Sequence, residues 1–227
     1  MVLPGDELMP RVDLTATRAV AIQATADAVW PWIAQLGQGR GGFYSYDFLD
    51  NLVGCDIHSA NRVLPEWQGI GAGDEVRLAP GVGLVVASAE RDRSLVLRGG
   101  IPLGNSAPPY DFTWAFALRA QPDGTTRLLV RERYAYTRPW ARLLIEPTEA
   151  ASFVMSQKML RGIRDRAERT ASAIGSEASQ PRSGVETGGH ANRRSAVRST
   201  RAIAAGCGRV LDSHGDSCDS RGRRKPR

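Results

Sequence analysis

Apolar and polar residues alternate most regularly in two neighbouring segments, and this alternation predicts a long β-hairpin. In Tyr110–Leu118, one face carries large apolar side chains and the other carries small or polar ones. Thr126–Tyr136 returns as the partner strand. Between them, Pro122-Asp123-Gly124 is a turn sequence, because proline presets one backbone angle and glycine takes the left-handed conformation. The large face of the first strand consists of Tyr110, Phe112, Trp114, Phe116 and Leu118.

Four shorter segments are also predicted strands, and charged or glycine-containing turns separate most of them. They are Arg18–Gln23, Glu75–Leu78, Leu84–Ala89 and Leu95–Leu97.

Two short helices are predicted before most of the strands. Ala26–Gln35 follows Thr25, a suitable N-cap residue, and contains Pro31, which should kink it or limit it to short turns. Tyr46–Val53 has apolar residues at helical spacing and ends at Gly54.

A third, much longer helix is predicted from about Thr148 to Ile174, with Pro147 in its first turn. Its apolar face has i, i+4 spacing and consists of Met155, Met159, Ile163, Ala167 and Ala171. A strand, two helices, a series of strands and one long helix are typical of an α+β fold. We expect an antiparallel sheet whose apolar face is covered by the last helix.

Composition divides the 227 residues into a folded part and a tail. Residues 175–227 contain no Phe, Trp or Tyr and are rich in Gly and Ser, so they cannot bury enough apolar surface to offset the entropy of ordering. Residues 1–174 hold 19 basic and 19 acidic side chains, so the net charge of +6 belongs to the tail. We predict an N-terminal extension over 1–14, a folded domain over 15–174 and a disordered basic tail over 175–227.

The same reasoning favours a cytoplasmic protein. No apolar segment approaches the roughly 20 residues that span a bilayer. The N-terminus lacks the basic start and apolar stretch of a signal peptide. Three cysteines, Cys55, Cys207 and Cys218, form no even disulfide framework, which indicates a reducing compartment.

Several stretches resemble the SRPBCC superfamily (START and Bet v 1-like proteins, or polyketide cyclase/dehydrase), and most closely its uncharacterised bacterial branch. They are Ala24–Gly37, Gly42–Leu49, Ile57–Gln68, Gly73–Leu78, Trp114–Arg133 and the terminal helix with MSQKMLRGIRDRAE. The resemblance implies a helix-grip fold, in which a curved antiparallel sheet wraps around a long C-terminal helix and leaves a cavity. Members of this superfamily bind lipids, sterols, polyketides, quinones or plant hormones, and a minority catalyse cyclisation or dehydration.

Aromatic and methionine side chains are the best candidates for the wall of such a cavity. Pockets for small molecules are mostly apolar, and methionine adapts to irregular space. The alternative is that these side chains simply pack the core. The candidates are Tyr110, Phe112, Trp114 and Phe116 on the strand and Met155 and Met159 on the helix.

Glu132 has two possible orientations in the partner strand. If Leu128 and Val130 point inward, so do Glu132 and Tyr134, and desolvation would make the carboxyl group a candidate acid or polar anchor. In the other arrangement, which we favour from the sequence, Glu132 belongs to an Arg–Glu–Arg ladder on the solvent face.

His58 is the one histidine of residues 1–174, and its imidazole would suit proton transfer near neutral pH. A structural role in a loop is the more common one for an isolated histidine. Tyr44 and Tyr46 could present hydroxyl groups at the mouth of the cavity, or pack against the second helix.

Two apparent motifs are rejected, so no cofactor or metal is expected. Gly37, Gly39 and Gly42 match a dinucleotide fingerprint, but they follow a helix rather than a strand, which indicates a flexible connection. Cys207, His214 and Cys218 do not have the spacing of a zinc site.

The sequence thus favours a binding or transport protein for a small hydrophobic ligand, such as a lipid or polyketide. The alternative is a cyclase or dehydratase that uses polar cavity residues, His58, Glu132, Tyr44 or Tyr134. A third hypothesis is an interaction module that docks through its basic tail. That tail could touch anionic surfaces weakly, but specific nucleic-acid binding is not expected, because it has no aromatic residue for base stacking.

Overall fold

One six-stranded antiparallel sheet organises the part of the chain that the structure, a computed structural model, describes. The description covers residues 1–52, 54–100 and 106–178, with backbone alone for 174–178. The strands lie in the order β1-β6-β5-β4-β3-β2. Their bounds are β1 Leu14–Ile22, β2 Glu75–Ala79, β3 Val82–Glu90, β4 Ser94–Gly99, β5 Tyr110–Ala120 and β6 Thr126–Tyr136, and the helices are α1 Ala26–Ala34, α2 Asp47–Leu52 and α3 Ala141–Ala178.

The predicted hairpin forms the centre of this sheet. β5 and β6 pair along their whole length, with Phe112 opposite Tyr134 and Trp114 opposite Glu132. Since opposite residues of paired strands share a face, the aromatic side of β5 and the even-numbered residues of β6 face the same interior. On the other edge of β6, β1 pairs in a register that places Arg18 opposite Val130.

The sheet curves, and α3 lies on its concave side, which confirms the predicted α+β helix-grip fold. The register shifts between Arg77 and Ala79 in β2 and between Val86 and Ser88 in β3. Such irregularities bend and twist strands. Ile163 and Ala167 of α3 are completely buried in the main core. A Cβ atom at Gly162 would lie 2.3 Å from the carbonyl oxygen of Tyr44, so only glycine allows this close approach.

The predicted start of the last helix is wrong by about two turns. α3 begins at Ala141 and continues through Pro147, which therefore lies inside the helix and not in its first turn. Proline has no N–H to donate to the carbonyl oxygen of Leu143. Leu143 lies on the exposed side of the helix, where water can take the place of that donor. The predicted tail, apart from the first residues of 175–227, lies outside the described residues.

The N-terminal residues pack against the convex face of the sheet. Leu3 is buried in a small cluster with Ala117 of β5 and Leu129 of β6. Arg131 Nη1 donates a hydrogen bond of 2.6 Å to Asp6 Oδ2, and Arg133 Nη1 donates one of 2.6 Å to the carbonyl oxygen of Asp6. Both faces of β6 are thereby covered. β1 also begins at Leu14, earlier than predicted, because Leu14 pairs with Tyr134.

Replacing Asp6 by alanine should destabilise the fold, since it leaves two half-buried arginines without their carboxylate. We expect a loss of about 1–3 kcal/mol in the free energy of unfolding, measured with urea. The matched control is Glu90→Gln, whose exposed ion pair with Arg93 spans 3.7 Å and should contribute less than about 1 kcal/mol. Equal losses in the two variants would contradict a structural role for the N-terminal segment.

Candidate functional site

An apolar cavity of about 310 Å³ lies between the sheet and the middle of α3. The sheet contributes Leu78, Tyr110, Phe112, Trp114, Glu132 and Tyr134. The helix contributes Ser152, Met155, Ser156 and Met159. The segment between α1 and β2 adds Phe43, Ser45, Asp50 and Cys55.

The structure places seven of the candidate residues together in this wall. They are Tyr110, Phe112, Trp114, Glu132, Tyr134, Met155 and Met159. Ring contacts link the aromatic members: Phe112 and Tyr134 have centroids 4.8 Å apart, and Tyr110 and Tyr134 have centroids 5.6 Å apart. Seven residues chosen from the sequence thus form one continuous surface of the cavity. That this surface contacts a ligand stays a prediction.

Four other candidates lie away from this wall. Phe116 is fully buried in the core behind it. Tyr44 is also buried and meets Trp32 edge-on, with ring centroids 5.9 Å apart. Tyr46 packs on Phe48 and lies under the ammonium group of Lys158. His58 has an 82% exposed side chain, 3.2 Å from Asp56. His58 and Tyr44 therefore do not line the cavity, and a role for either of them in chemistry stays a hypothesis.

Glu132 points inward, which corrects the solvent-facing ladder favoured from the sequence. Its side chain is 4% exposed, whereas Arg131 and Arg133 lie on the opposite face with Asp6. Ser156 Oγ donates to Glu132 Oε1 and Ser152 Oγ donates to Oε2, both at 2.9 Å. The carboxylate is therefore held by the helix above it.

Arg18 completes the polar cluster from β1. Its Nη1 lies 3.3 Å from Glu132 Oε1, and its Nη2 donates to Glu149 Oε1 of α3. The guanidinium also lies 5.5 Å from the ring centroid of Phe153. One cation thus serves two carboxylates, so the cluster of Arg18, Glu132 and Glu149 carries an excess of one negative charge.

The sequence analysis missed Arg18, Ser152 and Ser156, although two periodicities point to them. Arg18, Val20 and Ile22 are two residues apart from one to the next, so they share the inward face of β1. Ser152 and Ser156 are one turn apart and lie beside Met155 and Met159 on the same helix. The residues from the α1–β2 segment have no comparable signal, because a loop's position depends on tertiary packing.

Burial shapes the acid–base behaviour of the wall. Desolvation, reinforced by the charges of Glu132 and Glu149, raises the pKa of Tyr134 well above its ordinary value, so the phenol stays protonated. Desolvation, followed by the charge of Asp47, raises the pKa of Asp50. Desolvation and the charge of Asp50 raise the pKa of the Cys55 thiol, which disfavours a reactive thiolate.

The glycine-containing loop between α1 and α2 closes on itself. Gly37 and Gly42 exchange two backbone hydrogen bonds of 3.0 and 3.1 Å, which close a tight hairpin. A Cβ atom at Gly42 would lie 2.8 Å from the carbonyl oxygen of His58. Only glycine at position 42 therefore allows the loop to pack this closely on His58. Two backbone hydrogen bonds fix the loop, which is not the flexible connection expected from the sequence.

Within the described residues, no group of three or more His, Cys, Asp or Glu side chains could hold a metal ion. Cys207, His214 and Cys218 lie outside those residues. No described helix is long and apolar enough to cross a membrane.

Comparison with protein-family models and with curated proteins finds no match for the chain. Among solved structures, a hypothetical protein from Helicobacter pylori is 12% identical, with a TM-score of 0.46, and the match covers 74% of this chain and 95% of that one. The Zhui aromatase/cyclase from a Streptomyces species is 17% identical, with a TM-score of 0.41, over 71% of this chain and 98% of that one. A protein from Mesorhizobium loti is 15% identical, with a TM-score of 0.41, over 69% and 98%. At these values the likeness does not bear on the ligand or the chemistry of this chain.

The raised pKa values of Tyr44 and Tyr134 predict a loss of stability in alkali. Desolvation is the largest cause for both phenols. Each binds its proton more tightly in the folded chain than in the unfolded chain, where the pKa is about 10, so unfolding releases protons above that pH. The free energy of unfolding in urea should therefore be steady below about pH 10 and fall as the pH rises above it. Tyr134→Phe should show a smaller fall than the unmodified chain, and an identical fall would contradict the assignment.

Proposed function

We propose that the chain binds or transports a small, mostly apolar molecule in the cavity between the sheet and α3. The observation that carries this proposal is a cavity of about 310 Å³ with an aromatic and methionine wall and one polar cluster. Ligand pockets in proteins typically measure roughly 300–1,000 Å³ and combine an apolar lining with a few polar groups that set orientation. A lipid-like or polyketide-like molecule of modest size fits that description.

The polar cluster supports binding more than chemistry. Glu132 accepts hydrogen bonds from two serines and lies beside Arg18, so its carboxylate is held in place by three partners. The Tyr134 phenol stays protonated and serves as a neutral donor. A fixed carboxylate beside a neutral phenol can orient a ligand in the cavity.

Filling the cavity should abolish binding while leaving the fold intact. Leu78 lines the cavity from β2 and is half-buried, so Leu78→Trp places an indole in the space that a ligand would occupy. We expect at least a tenfold loss of affinity for Nile red, measured by fluorescence titration. Val85→Trp is the matched control, because Val85 lies on the neighbouring strand and is exposed. If both variants bind the dye as well as the unmodified chain, the cavity is not the binding site.

A cyclase or dehydratase is the second candidate, and the shared position of Glu132 and Tyr134 in one cavity favours it. The substrate would be a poly-β-ketone chain that the wall folds while these two groups polarise it. We expect that the chain will not accelerate cyclisation of a short poly-β-ketoacyl thioester beyond about twofold over buffer. Acceleration that falls at least tenfold in Glu132→Gln and in Tyr134→Phe, with Nile red affinity retained, would instead establish the enzyme.

A further inference from the structure

We infer that the ligand of this cavity is an uncharged or cationic molecule that donates a hydrogen bond to Glu132 or to one of the two serines bound to it, Ser152 and Ser156. This inference rests on the proposed binding function and names the chemical class of the ligand. Phenols, alcohols and amines on an apolar skeleton belong to the class, and carboxylates and phosphates do not.

The first argument is the direction of the hydroxyl protons. An ionised carboxylate only accepts hydrogen bonds, so Ser152 and Ser156 donate their protons to Glu132. Ser45 likewise donates its proton to the carbonyl oxygen of Met155, over 3.0 Å. In all three wall serines, the hydroxyl proton is therefore already used in a hydrogen bond, while the oxygen still has lone pairs that can accept one. A ligand that meets them must bring its own donor.

The second argument is the capacity of the carboxylate. Glu132 Oε1 already accepts a hydrogen bond from Ser156 Oγ and lies 3.3 Å from Arg18 Nη1. Glu132 Oε2 accepts one hydrogen bond, from Ser152 Oγ. Each carboxylate oxygen can accept two hydrogen bonds, so Oε2 retains one acceptor position within the described structure. A hydroxyl or ammonium group of the ligand can occupy it.

The third argument is the balance of charge. Among the described residues of the wall there is no Lys, Arg or His, whereas Asp50 and Glu132 both line it. Arg18 approaches Glu132 but is not part of the wall, and it also serves Glu149. Two carboxylates thus share one cation, and Asp50 adds a further carboxylate to the wall, so in a medium of low dielectric constant an anionic ligand would meet a net negative charge. Tyr134 and Trp114 can donate to a ligand carbonyl, but they supply no positive charge.

Three naphthalenes of nearly equal size separate these properties. They are 2-naphthol, which has a donor, 2-methoxynaphthalene, which has none, and 2-naphthoate, which is an anion. Each should be titrated against Nile red bound to the unmodified chain at about pH 7.5. Because a hydrogen bond to a charged group contributes more than a neutral one, we expect naphthol to bind about tenfold more tightly than methoxynaphthalene. Naphthoate should bind at least a hundredfold more weakly than naphthol.

A charge-neutralising variant tests the assignment to Glu132. Glu132→Gln should improve naphthoate binding at least fivefold and weaken naphthol binding. Glu146→Gln is the matched control, because Glu146 lies on the exposed side of the same helix, paired with Arg142. It should leave the affinities for all three compounds unchanged. If Glu132→Gln does not fold, the ranking in the unmodified chain still decides the question.

The outcomes distinguish this inference from the function on which it rests. Naphthoate binding as tightly as naphthol overturns the charge argument, and equal affinity for naphthol and methoxynaphthalene overturns the hydrogen-bond argument. In both cases binding in the cavity stands. If none of the compounds displaces Nile red, the inference is wrong. If, in addition, Leu78→Trp leaves Nile red binding unchanged, the proposed function fails as well.

Discussion

The buried ion pair between Arg18 and Glu132 is the interaction on which the rest of the site depends. It lies on the concave face of the sheet, where two adjacent strands, β1 and β6, carry opposite charges on neighbouring positions. Removing two charges from water is costly, and the attraction between them repays that cost only when further hydrogen bonds satisfy the remaining atoms. The two serines of α3 satisfy Glu132 and Glu149 accepts from Arg18 Nη2, whereas Arg18 Nε and Nη1 have no hydrogen-bond partner among the described residues. The polar cluster therefore ties the helix to the sheet at a definite position.

That position explains why a cavity persists. Where α3 crosses the cluster, its inward residues Ser152 and Ser156 are small, and Met155 and Met159 alternate with them. Opposite them, the sheet presents large rings whose contacts with one another hold them in place. The cavity therefore lies where the helix presents small serines to the buried carboxylate and the sheet presents rings that contact one another.

The same cluster also specifies the register of the strands. A shift of β1 by one residue against β6 would move Arg18 to the convex face and leave Glu132 buried without its cation. On that convex face, Arg131 and Arg133 already share Asp6 with the N-terminal segment. Each face of β6 therefore has its own charge partner, and the two sets of partners cannot be exchanged.

Local patterns account for most of the architecture. The alternation in β5 and β6, the turn at Gly124 and the apolar face of α3 were all evident because each depends on neighbours within a few residues. For the same reason, the aromatic wall and the two methionines could be predicted as one surface. The length of α3 was underestimated because a proline such as Pro147 normally lies in the first turn of a helix. It is tolerated further inside when water can donate the hydrogen bond that the missing N–H cannot.

The sequence by itself determined the strands, the helices and which apolar side chains share a face, because these follow from the periods of the backbone. Tertiary structure decided which face of β6 is the interior. From the sequence, either set of alternate residues could point inward, and the structure shows that the N-terminal segment covers the other face. It also decided that Arg18, Glu132, Ser152 and Ser156 meet, because they come from three different elements, and β1 lies more than a hundred residues before β6 and α3. The cavity depends on that meeting, and no local pattern encodes it.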